Sequence, residues 1–316
     1  MLYYKYIMKI AITTDLYYPM INGVAVSSRN LALGMSKMGH EVIVLAPSIN
    51  GDFEIEEDEE GGFRVARLSS VKFPFYPDQI SKVPEAVEIF GKKIPRIAHR
   101  HGLHVSFYPY PEMKKVLDDF RPDIIHNQTP GPIALAILRY SKRREVPLVT
   151  TGHAYPENLT GRLKLPMTIK KPINAAVRTY FANFLKKSEY ATMPTEIAIA
   201  DLMPKNRKRF KVPVEALSNG IDLSKFSAGK VEPELYVKYG IPKNKPIVMY
   251  VGRIDEEKSL HVLIRGFNRA LAKVPEAKLV LVGDGADKNR LEKLVKELRI
   301  GDNVIFTGRV VGDDLP

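Results

Sequence analysis

The sequence has 316 residues, with 48 Lys and Arg against 36 Asp and Glu, which gives a formal net charge of +12. A hydrophobic content of 45% and a charged content of 27% are typical of a folded globular protein and exclude a disordered chain. Cysteine is absent, which excludes thiol catalysis and disulfide bonds, and no apolar run approaches the roughly 18 residues of a membrane-spanning helix.

Short apolar runs alternate with amphipathic stretches through the first two thirds of the chain, which predicts a parallel sheet with crossover helices. The first twelve residues lack a small-residue cleavage site, so we expect no signal peptide. Leu31, Met35 and Met38 share one face of a predicted helix that ends before Gly39. The six acidic residues between positions 54 and 60 predict a solvated hairpin. The predicted strands are Lys9–Thr14, Glu41–Ala46, Phe63–Leu68, Asp123–His126, Leu148–Thr151 and Tyr190–Met193.

From residue 212 the pattern restarts as βαβαβ, the half-unit of a doubly wound sheet. Ser259 is the predicted N-cap of the first helix in this half. The strands are predicted at Ile247–Val251, Lys278–Val282 and Val304–Phe306, with helical apolar faces at Leu260–Leu271 and Leu291–Leu298. We therefore predict two Rossmann-like domains, 1–215 and 216–316. Because the chain stops soon after a new strand, the second domain is expected to be incomplete.

The loop after the strand Ile247–Val251 carries two cations, Arg253 and Lys258, between a strand's carboxyl end and the next helix. Ligands of open α/β sheets bind at that edge. Arg binds two phosphate oxygens at once and Lys adds a point charge, so the pair can hold a diphosphate and stabilise its charge as it leaves. The alternative, which the residues leave open, is a solvated charged loop, because acidic residues separate the two cations.

Glycines recur at the strand ends of this half. They are Gly252, the run Gly283-Asp284-Gly285, and the pair Gly308-Arg309. Glycine permits close approach of a nucleotide to the backbone, and Asp284 is placed to accept a hydrogen bond from a ribose hydroxyl. In the first half, Gly23 lies at a strand-to-helix junction whose free N–H groups suit an anion. No GxGxxG motif is present, so an ordinary βα turn at Gly23 is the alternative.

Two histidines, His126 and His153, lie at predicted strand ends of the first half, each followed by polar residues. Imidazole at such a rim can bind a sugar hydroxyl or a phosphate oxygen, or transfer a proton near neutral pH. The alternative is a strand-end histidine that is hydrogen-bonded within the protein. Three further histidines, His99, His101 and His104, fit no familiar zinc spacing, so we predict no metal site.

Part of the positive charge is concentrated in residues 161–188, which contain no Asp or Glu. Basic residues interleaved with apolar and aromatic ones are typical of a segment that contacts anionic lipid. The alternatives are a core helix with a basic solvent face, or a groove for an acidic substrate or nucleic acid. No helix-turn-helix pattern or aromatic-rich binding strand accompanies the charge, so nucleic acid is not an expected partner. The basic residues are Arg162, Lys164, Lys170, Lys171, Arg178, Lys186 and Lys187.

Taken together, the motifs resemble family 4 of the retaining glycosyltransferases, which have the α/β GT-B fold of two Rossmann-like domains facing a cleft. Within the family the chain is most similar to enzymes that glycosylate membrane lipids, such as diacylglycerol glucosyltransferases and phosphatidylinositol mannosyltransferases. The matching stretches are Asn22-Gly23-Val24, Gly39-His40-Glu41-Val42, Pro122–His126, His153 with Glu157, Ser218–Asp222, Gly252-Arg253 with Lys258, Val282–Gly285 and Val304–Gly308.

The resemblance implies that residues 1–215 bind the acceptor and residues 216–316 bind a nucleoside-diphosphate sugar, such as UDP-glucose, without a metal ion or other cofactor. Arg253 and Lys258 would neutralise the departing diphosphate, and His153 would hold the transferred sugar or its phosphate; these three are the expected catalytic residues. The other expected donor contacts are Gly23, Gly252, Gly283, Asp284, Gly285, Gly308 and Arg309, and the acceptor contacts are His126, Tyr155 and Glu157.

The expected function is a retaining hexosyl transfer to a membrane lipid or lipid-linked acceptor, by a protein peripheral to the cytoplasmic face of the membrane. The alternatives are a soluble sugar or cell-wall precursor as acceptor, and an inactive fragment that binds nucleotide sugar or lipid. Two departures from the family pattern bear on activity. Ser259 stands where glycine is usual, and the sequence ends before the position at which a glutamate pair is expected. The base, the sugar and the oligomeric state stay open.

Overall fold

The computed structural model describes residues 6–20, 22–58, 60–73, 86–89, 92–95, 103–153, 166–203, 211–221, 223, 226, 229, 232–310 and 314. The chain divides into two compact units: the first contains Met1–Glu85 and Pro95–Gly220, and the second contains Ala86–Ile94 and Ile221–Pro316. Within the described ranges, no helix has both the length and the hydropathy that crossing a membrane requires.

The strands are β1 (Lys9–Thr13), β2 (Glu41–Pro47), β3 (Glu54–Asp58), β4 (Phe63–Leu68), β5 (Val71–Lys72), β6 (Ala86–Ile89), β7 (Lys92–Pro95), β8 (His104–Val105), β9 (Ile124–Asn127), β10 (Leu148–Thr151), β11 (Tyr190–Met193), β12 (Val214–Ala216), β13 (Ile247–Val251), β14 (Lys278–Val282) and β15 (Val304–Gly308). The helices are α1 (Gly23–Lys37), α2 (Tyr110–Phe120), α3 (Pro132–Arg144), α4 (Met167–Leu185), α5 (Glu196–Leu202), α6 (Pro233–Lys238), α7 (Leu260–Ala270) and α8 (Lys288–Glu297). The strands predicted from the sequence are all present, with ends that differ by two residues at most.

The first unit is built on an eight-stranded sheet in the order β12-β11-β10-β9-β1-β2-β4-β3. Every pairing is parallel except that of β3 with β4. The chain runs outward from β1 through β2 to β4, then returns to β9 and runs outward the other way. The order therefore reverses between β1 and β9, and ligands of such sheets bind outside the carboxyl ends of the strands at this switch point.

Helices α2 and α3 cover one face of this sheet and close its core, because their apolar residues recur at helical spacing. The side chains that are completely buried in this core include Ala11, Leu45, Met113, Leu117, Ile125, Ile133, Ile137 and Leu148. This burial makes the sheet a rigid support for the loops at its carboxyl edge.

The buried face of α1 differs from the predicted one. Met38 is 52% exposed, and the side chains that pack inward are Ala25, Ser28, Arg29, Ala32 and Leu33. Small residues let the helix approach the sheet closely, and the buried Arg29 guanidinium bonds to Asp58 at 3.1 Å and Glu60 at 2.8 Å. The predicted end of the helix is confirmed, since Gly39 follows it with a φ of 89°.

The acidic segment forms the predicted hairpin, but part of it is not solvated as expected. Asp58 bonds to Arg29, and Glu56 bonds at 2.7 Å to Arg67, whose side chain is 6% exposed. Arg67 also donates to the Tyr18 carbonyl at 2.7 Å. The hairpin carboxylates therefore neutralise two buried arginines, and through Arg67 they support the loop that follows β1.

The second unit contains the parallel sheet β13-β14-β15 with α7 and α8 as its crossover helices. The predicted apolar faces are confirmed, since Leu260, Ile264, Phe267, Leu291, Leu294 and Val295 are buried in one cluster with the sheet. The carboxyl ends of its three strands lie at the same edge.

Candidate active site

Asp15 follows β1 at the switch point of the first unit. Its carboxylate accepts hydrogen bonds from the Thr129 hydroxyl at 2.7 Å and from the main-chain N–H groups of Gly131 and Ile133, each at 3.1 Å. These N–H groups belong to the start of α3, where the helix dipole stabilises a negative charge. Asp15 therefore binds the loop between β9 and α3 to the end of β1.

The site around this carboxylate is tight. A Cβ atom at Gly131 would lie 2.3 Å from Asp15 Oδ2, so the close approach requires glycine there. Burial raises the pKa of Asp15 to about 6, against the lowering effect of its three hydrogen bonds. Sequence reasoning did not select Asp15 as a site residue, because its partners lie 114 to 118 residues away.

His126 is the third residue of β9 and pairs in register with Ile12 and Val149. Its Nε2 lies 2.7 Å from the Thr151 hydroxyl, which in turn lies 2.7 Å from the Thr192 hydroxyl. Burial, with a smaller contribution from His153, lowers the pKa of His126 to about 4. The ring is therefore neutral at physiological pH and hydrogen-bonded within the sheet, as the alternative interpretation of the sequence described.

His153 lies two residues beyond the end of β10. Its Nε2 is 2.7 Å from Gln128 Oε1, and its Nδ1 is 3.5 Å from Asn219 Nδ2. Burial lowers the pKa of His153 to about 4, because the charged form loses hydration beside a small cavity whose lining includes Phe181 and Met193. The structure thus brings His126 and His153 to one edge, and it adds Gln128 and Asn219, which sequence reasoning did not select as site residues.

In the second unit the predicted glycines meet at the carboxyl edge of the sheet. The main-chain N–H of Gly252 donates to the Val282 carbonyl, and that of Gly283 donates to the Gly308 carbonyl, both at 2.9 Å. Gly283 has a φ of 143°, and a Cβ atom there would lie 1.9 Å from the Gly252 carbonyl oxygen. Close contact between neighbouring loops therefore requires this glycine, and a nucleotide contact stays a prediction.

Arg253 projects from this edge and is bound by two carboxylates. Its guanidinium forms ion pairs with Asp255 and Glu257, and its side chain is 46% exposed. Lys258 lies in the 3₁₀ turn Glu256–Lys258, and no ion pair of its side chain occurs among the residues that the structure describes. Both cations thus stand at the strand-end edge, with Arg253 held in place by the acidic residues that separate them.

Ser259 is the N-cap residue of α7, as predicted, but its side chain makes no capping hydrogen bond. Its φ of 51° and ψ of 34° place it in the left-handed region, which favours glycine. A backbone conformation that favours glycine thus occurs at the position where the family resemblance leads us to expect glycine.

Asp284 Oδ1 accepts from the Gly285 N–H at 2.9 Å, and the Asp284 carbonyl accepts from the Ile254 N–H at 3.0 Å. Desolvation lowers the pKa of Arg309, and the Asp284 carboxylate opposes that shift, so the two charges influence each other at this edge. Asp284 as a whole is exposed at this edge, and its contact with a ligand stays a prediction.

The remaining predicted residues divide into two groups. Gly23 begins α1 behind the Asn22 cap, and a Cβ atom there would meet no described atom within 4 Å, so packing does not require glycine. Tyr155 and Glu157, like His99 and His101, lie outside the described residues. Across the described ranges, no group of three or more His, Asp or Glu side chains could hold a metal ion.

The two ends of the helix within the basic segment 161–188 differ in burial. The carboxyl-terminal half of α4 is core, with Phe181, Phe184 and Leu185 buried. Its amino-terminal end is exposed, with Met167 at 67% and Ile169 at 47% beside Lys170 and Lys171. The carboxyl-terminal half therefore fits the core-helix interpretation, and lipid contact at the exposed end stays a prediction. Residues 161–165 lie outside the described ranges.

Comparison with known structures defines the fold. The chain is similar to sucrose-phosphate synthase from Thermosynechococcus elongatus, with a TM-score of 0.66 and 18% identity over 98% of this chain and 72% of that one. Together with the α/β architecture of both units, this match confirms the predicted GT-B fold class.

The sequence comparisons give the family. A model described as Glycosyltransferase Family 4 matches residues 21–225, and one described as Glycosyl transferases group 1 matches residues 231–316. This chain belongs to glycosyltransferase family 4, as its motifs predicted.

Two curated relatives match nearly the whole chain. Alpha-monoglucosyldiacylglycerol synthase of Streptococcus pneumoniae is 26% identical over 96% of this chain and 62% of its own length. A GDP-mannose-dependent alpha-mannosyltransferase of Mycobacterium tuberculosis is 25% identical over 98% of this chain and 69% of its own length. The chain therefore spans about two thirds of the length of these relatives.

Proposed function

We propose that this protein transfers a hexose from a nucleoside-diphosphate sugar to a membrane lipid or lipid-linked acceptor, with retention of anomeric configuration. The observation that carries the proposal is the pair of cations, Arg253 and Lys258, at the strand-end edge of the second unit. The names of the relatives support it, since one is GDP-mannose-dependent and the other synthesises a glucosylated diacylglycerol.

The donor diphosphate would exchange with the carboxylates that now hold Arg253. Exposed ion pairs such as those with Asp255 and Glu257 contribute only about 0.2–1 kcal/mol each, whereas a charge-assisted hydrogen bond to phosphate contributes about 1.5–3 kcal/mol. Two charge-assisted bonds from the guanidinium to the diphosphate would together outweigh the two ion pairs that they replace. As the bond between sugar and diphosphate breaks, negative charge grows on the leaving oxygen, and Arg253 and Lys258 would stabilise that charge without a metal ion.

The remaining contacts to the nucleotide would come from the other strand-end residues. In this proposal the ribose hydroxyls are bound by Asp284, and main-chain groups at the glycines approach the nucleotide. The proposed contacts are the glycines Gly23, Gly252, Gly283, Gly285 and Gly308, together with the side chain of Arg309. Gly23 is the most informative of them, because packing within its own unit gives no reason for a glycine there.

His153 would bind the transferred sugar through a hydroxyl rather than through its phosphate. The ring is neutral, since burial holds its pKa near 4, and its Nε2 is already bonded to Gln128. Nδ1 then offers a lone pair, which accepts a proton donor such as a sugar hydroxyl but repels a phosphate oxygen. His126, bonded to Thr151, would border the acceptor site.

The exposed amino-terminal end of α4 would contact the membrane and bring the protein to its cytoplasmic surface. Met167 and Ile169 would insert their apolar side chains, and each neighbouring lysine would contribute about 1 kcal/mol at an anionic surface. Flotation with anionic liposomes tests this part of the proposal. The wild type should float and be released as salt rises, whereas a Lys170→Glu/Lys171→Glu double variant should stay at the bottom of the gradient.

The transfer reaction is tested by incubating the purified chain with radiolabelled UDP- or GDP-hexose and liposomes that contain diacylglycerol. Label should enter the lipid extract, and both Arg253→Ala and Lys258→Ala should reduce it by at least tenfold, about 1.4 kcal/mol of lost transition-state stabilisation. Arg265→Ala, which removes an exposed arginine of α7, serves as the matched control. Label in a soluble sugar would favour the alternative acceptor class, and binding without any transfer would contradict the proposed reaction.

A further inference from the structure

Gln128 occupies an unusual position for a residue without an assigned role. It follows β9 at the switch point of the first unit, it is 2% exposed, and its main-chain N–H donates to the Thr13 carbonyl at 2.8 Å. Its side-chain Oε1 lies 2.7 Å from His153 Nε2. The backbone bond to β1 thus fixes the side chain against the imidazole.

The nitrogen of the same side-chain amide makes no comparable contact. Gln128 Nε2 is buried and has no hydrogen-bond partner among the described residues. A buried donor without a partner destabilises a fold by about 1–3 kcal/mol, so a residue selected for packing alone would be apolar here. The contact with His153 is therefore the feature that accounts for an amide at this position.

The contact determines which ring nitrogen of His153 carries the proton. An amide oxygen only accepts hydrogen bonds, so His153 Nε2 must donate and Nδ1 must hold the lone pair in the neutral ring. The Asn219 amide nitrogen, 3.5 Å from Nδ1, is a donor on the correct side for that arrangement. Two independent neighbours are thus consistent with the same tautomer.

We propose that Gln128 is a positioning residue that fixes the Nε2–H tautomer and the orientation of His153, so that Nδ1 presents its lone pair to a substrate hydroxyl. That hydroxyl would replace the 3.5 Å contact from Asn219. The substrate part rests on the proposed function. The tautomer part does not, because it depends only on residues of the first unit.

The tautomer is measured directly by long-range ¹H–¹⁵N correlation spectra of the full chain labelled with ¹⁵N-histidine, with His153 assigned by its loss in His153→Asn. At pH 7 the wild type should show a protonated Nε2 and an unprotonated Nδ1. Gln128→Glu keeps an accepting oxygen and should keep this tautomer in the neutral ring. Gln128→Met keeps the length but removes the acceptor, and should give a mixture of both tautomers.

Activity gives a second measurement that loss of packing alone would not reproduce. Gln128→Met should lower the kcat of sugar transfer by about tenfold. In Gln128→Glu the new carboxylate stabilises the imidazolium and raises the pKa of His153, so activity should fall on acidification from pH 8 to pH 6, where the wild type changes little. Within the described ranges, the titratable group that interacts electrostatically with His153 is His126, and burial keeps it neutral in the same range.

Three outcomes separate the proposals. A protonated Nδ1 in the wild type, or an unchanged single tautomer in Gln128→Met, overturns the role of Gln128. The expected tautomers in a chain that transfers no sugar support the positioning role and contradict only the proposed function. If Gln128→Met does not fold, an NMR titration of His153 in Gln128→Glu decides, and a His153 pKa identical to that in the wild type overturns the proposal.

Discussion

Removing the charge of Glu257 should strengthen the binding of a nucleoside diphosphate. In the structure Asp255 and Glu257 share the Arg253 guanidinium, so a diphosphate has to displace them before it binds Arg253. Glu257→Gln keeps the size of the side chain and removes one competitor. With about 0.2–1 kcal/mol for an exposed ion pair, the Kd of GDP or UDP should fall by about 1.4- to 5-fold. Asp255 is a less suitable target, because its Oδ1 also accepts from the Ala286 N–H at 3.3 Å.

Isothermal titration calorimetry measures this effect, and a double-mutant cycle isolates it. Glu256→Gln is the matched control, since Glu256 lies in the same 3₁₀ turn and no ion pair joins it to Arg253 within the described residues. The gain from Glu257→Gln should disappear in an Arg253→Ala background. An equal gain in that background would show that Glu257 acts by general repulsion, and unchanged or weaker binding in the single variant would refute competition for Arg253.

Three further predictions concern stability, each measured by urea unfolding. Asp58→Ala should destabilise the protein by about 2–4 kcal/mol, because it removes a partner of the buried Arg29 guanidinium. The control, Glu57→Ala at an exposed position, should change stability by less than about 0.5 kcal/mol. Similar losses of stability in the two variants would contradict the reasoning. Ser259→Gly should stabilise by about 0.5–1 kcal/mol by relieving a left-handed non-glycine residue, and Ser259→Ala should not. The pKa of Asp15 is about 6 in the fold against an ordinary 3.8, so the folded state binds this proton more tightly and the carboxyl's contribution to stability declines as pH rises from 4 through 6. Asp15→Asn should therefore gain stability relative to the wild type over that range, by up to about 3 kcal/mol, and a constant difference would contradict the shifted pKa.

Much of the fold is predictable because strands and helices leave local patterns. Continuous apolar runs such as Leu279 to Val282 predict buried parallel strands, and the spacing of Leu260, Ile264 and Phe267 predicts the buried face of α7. The glycine at position 39 marked the end of α1 for the same reason, since the left-handed conformation there is a local property of the chain.

The features that the sequence did not predict depend on contacts between residues that are distant in sequence. The buried face of α1 includes Arg29 because Asp58 neutralises it, and no helical pattern signals that partner. Asp15, Gln128 and Asn219 became site residues only once β1 was paired with β9 and the loop after β12 reached His153. A polar residue directly after a strand next to the switch point is the pattern that could have identified the first two.

The central claim is that Arg253 and Lys258 bind the diphosphate of the donor, and it is tested most directly by comparing nucleosides with their diphosphates. Two charge-assisted contacts of about 1.5 kcal/mol each predict that GDP or UDP binds on the order of 100-fold more tightly than guanosine or uridine. In an Arg253→Ala/Lys258→Ala variant this preference should disappear while nucleoside binding is retained. A preference of the same size in the variant would contradict the account.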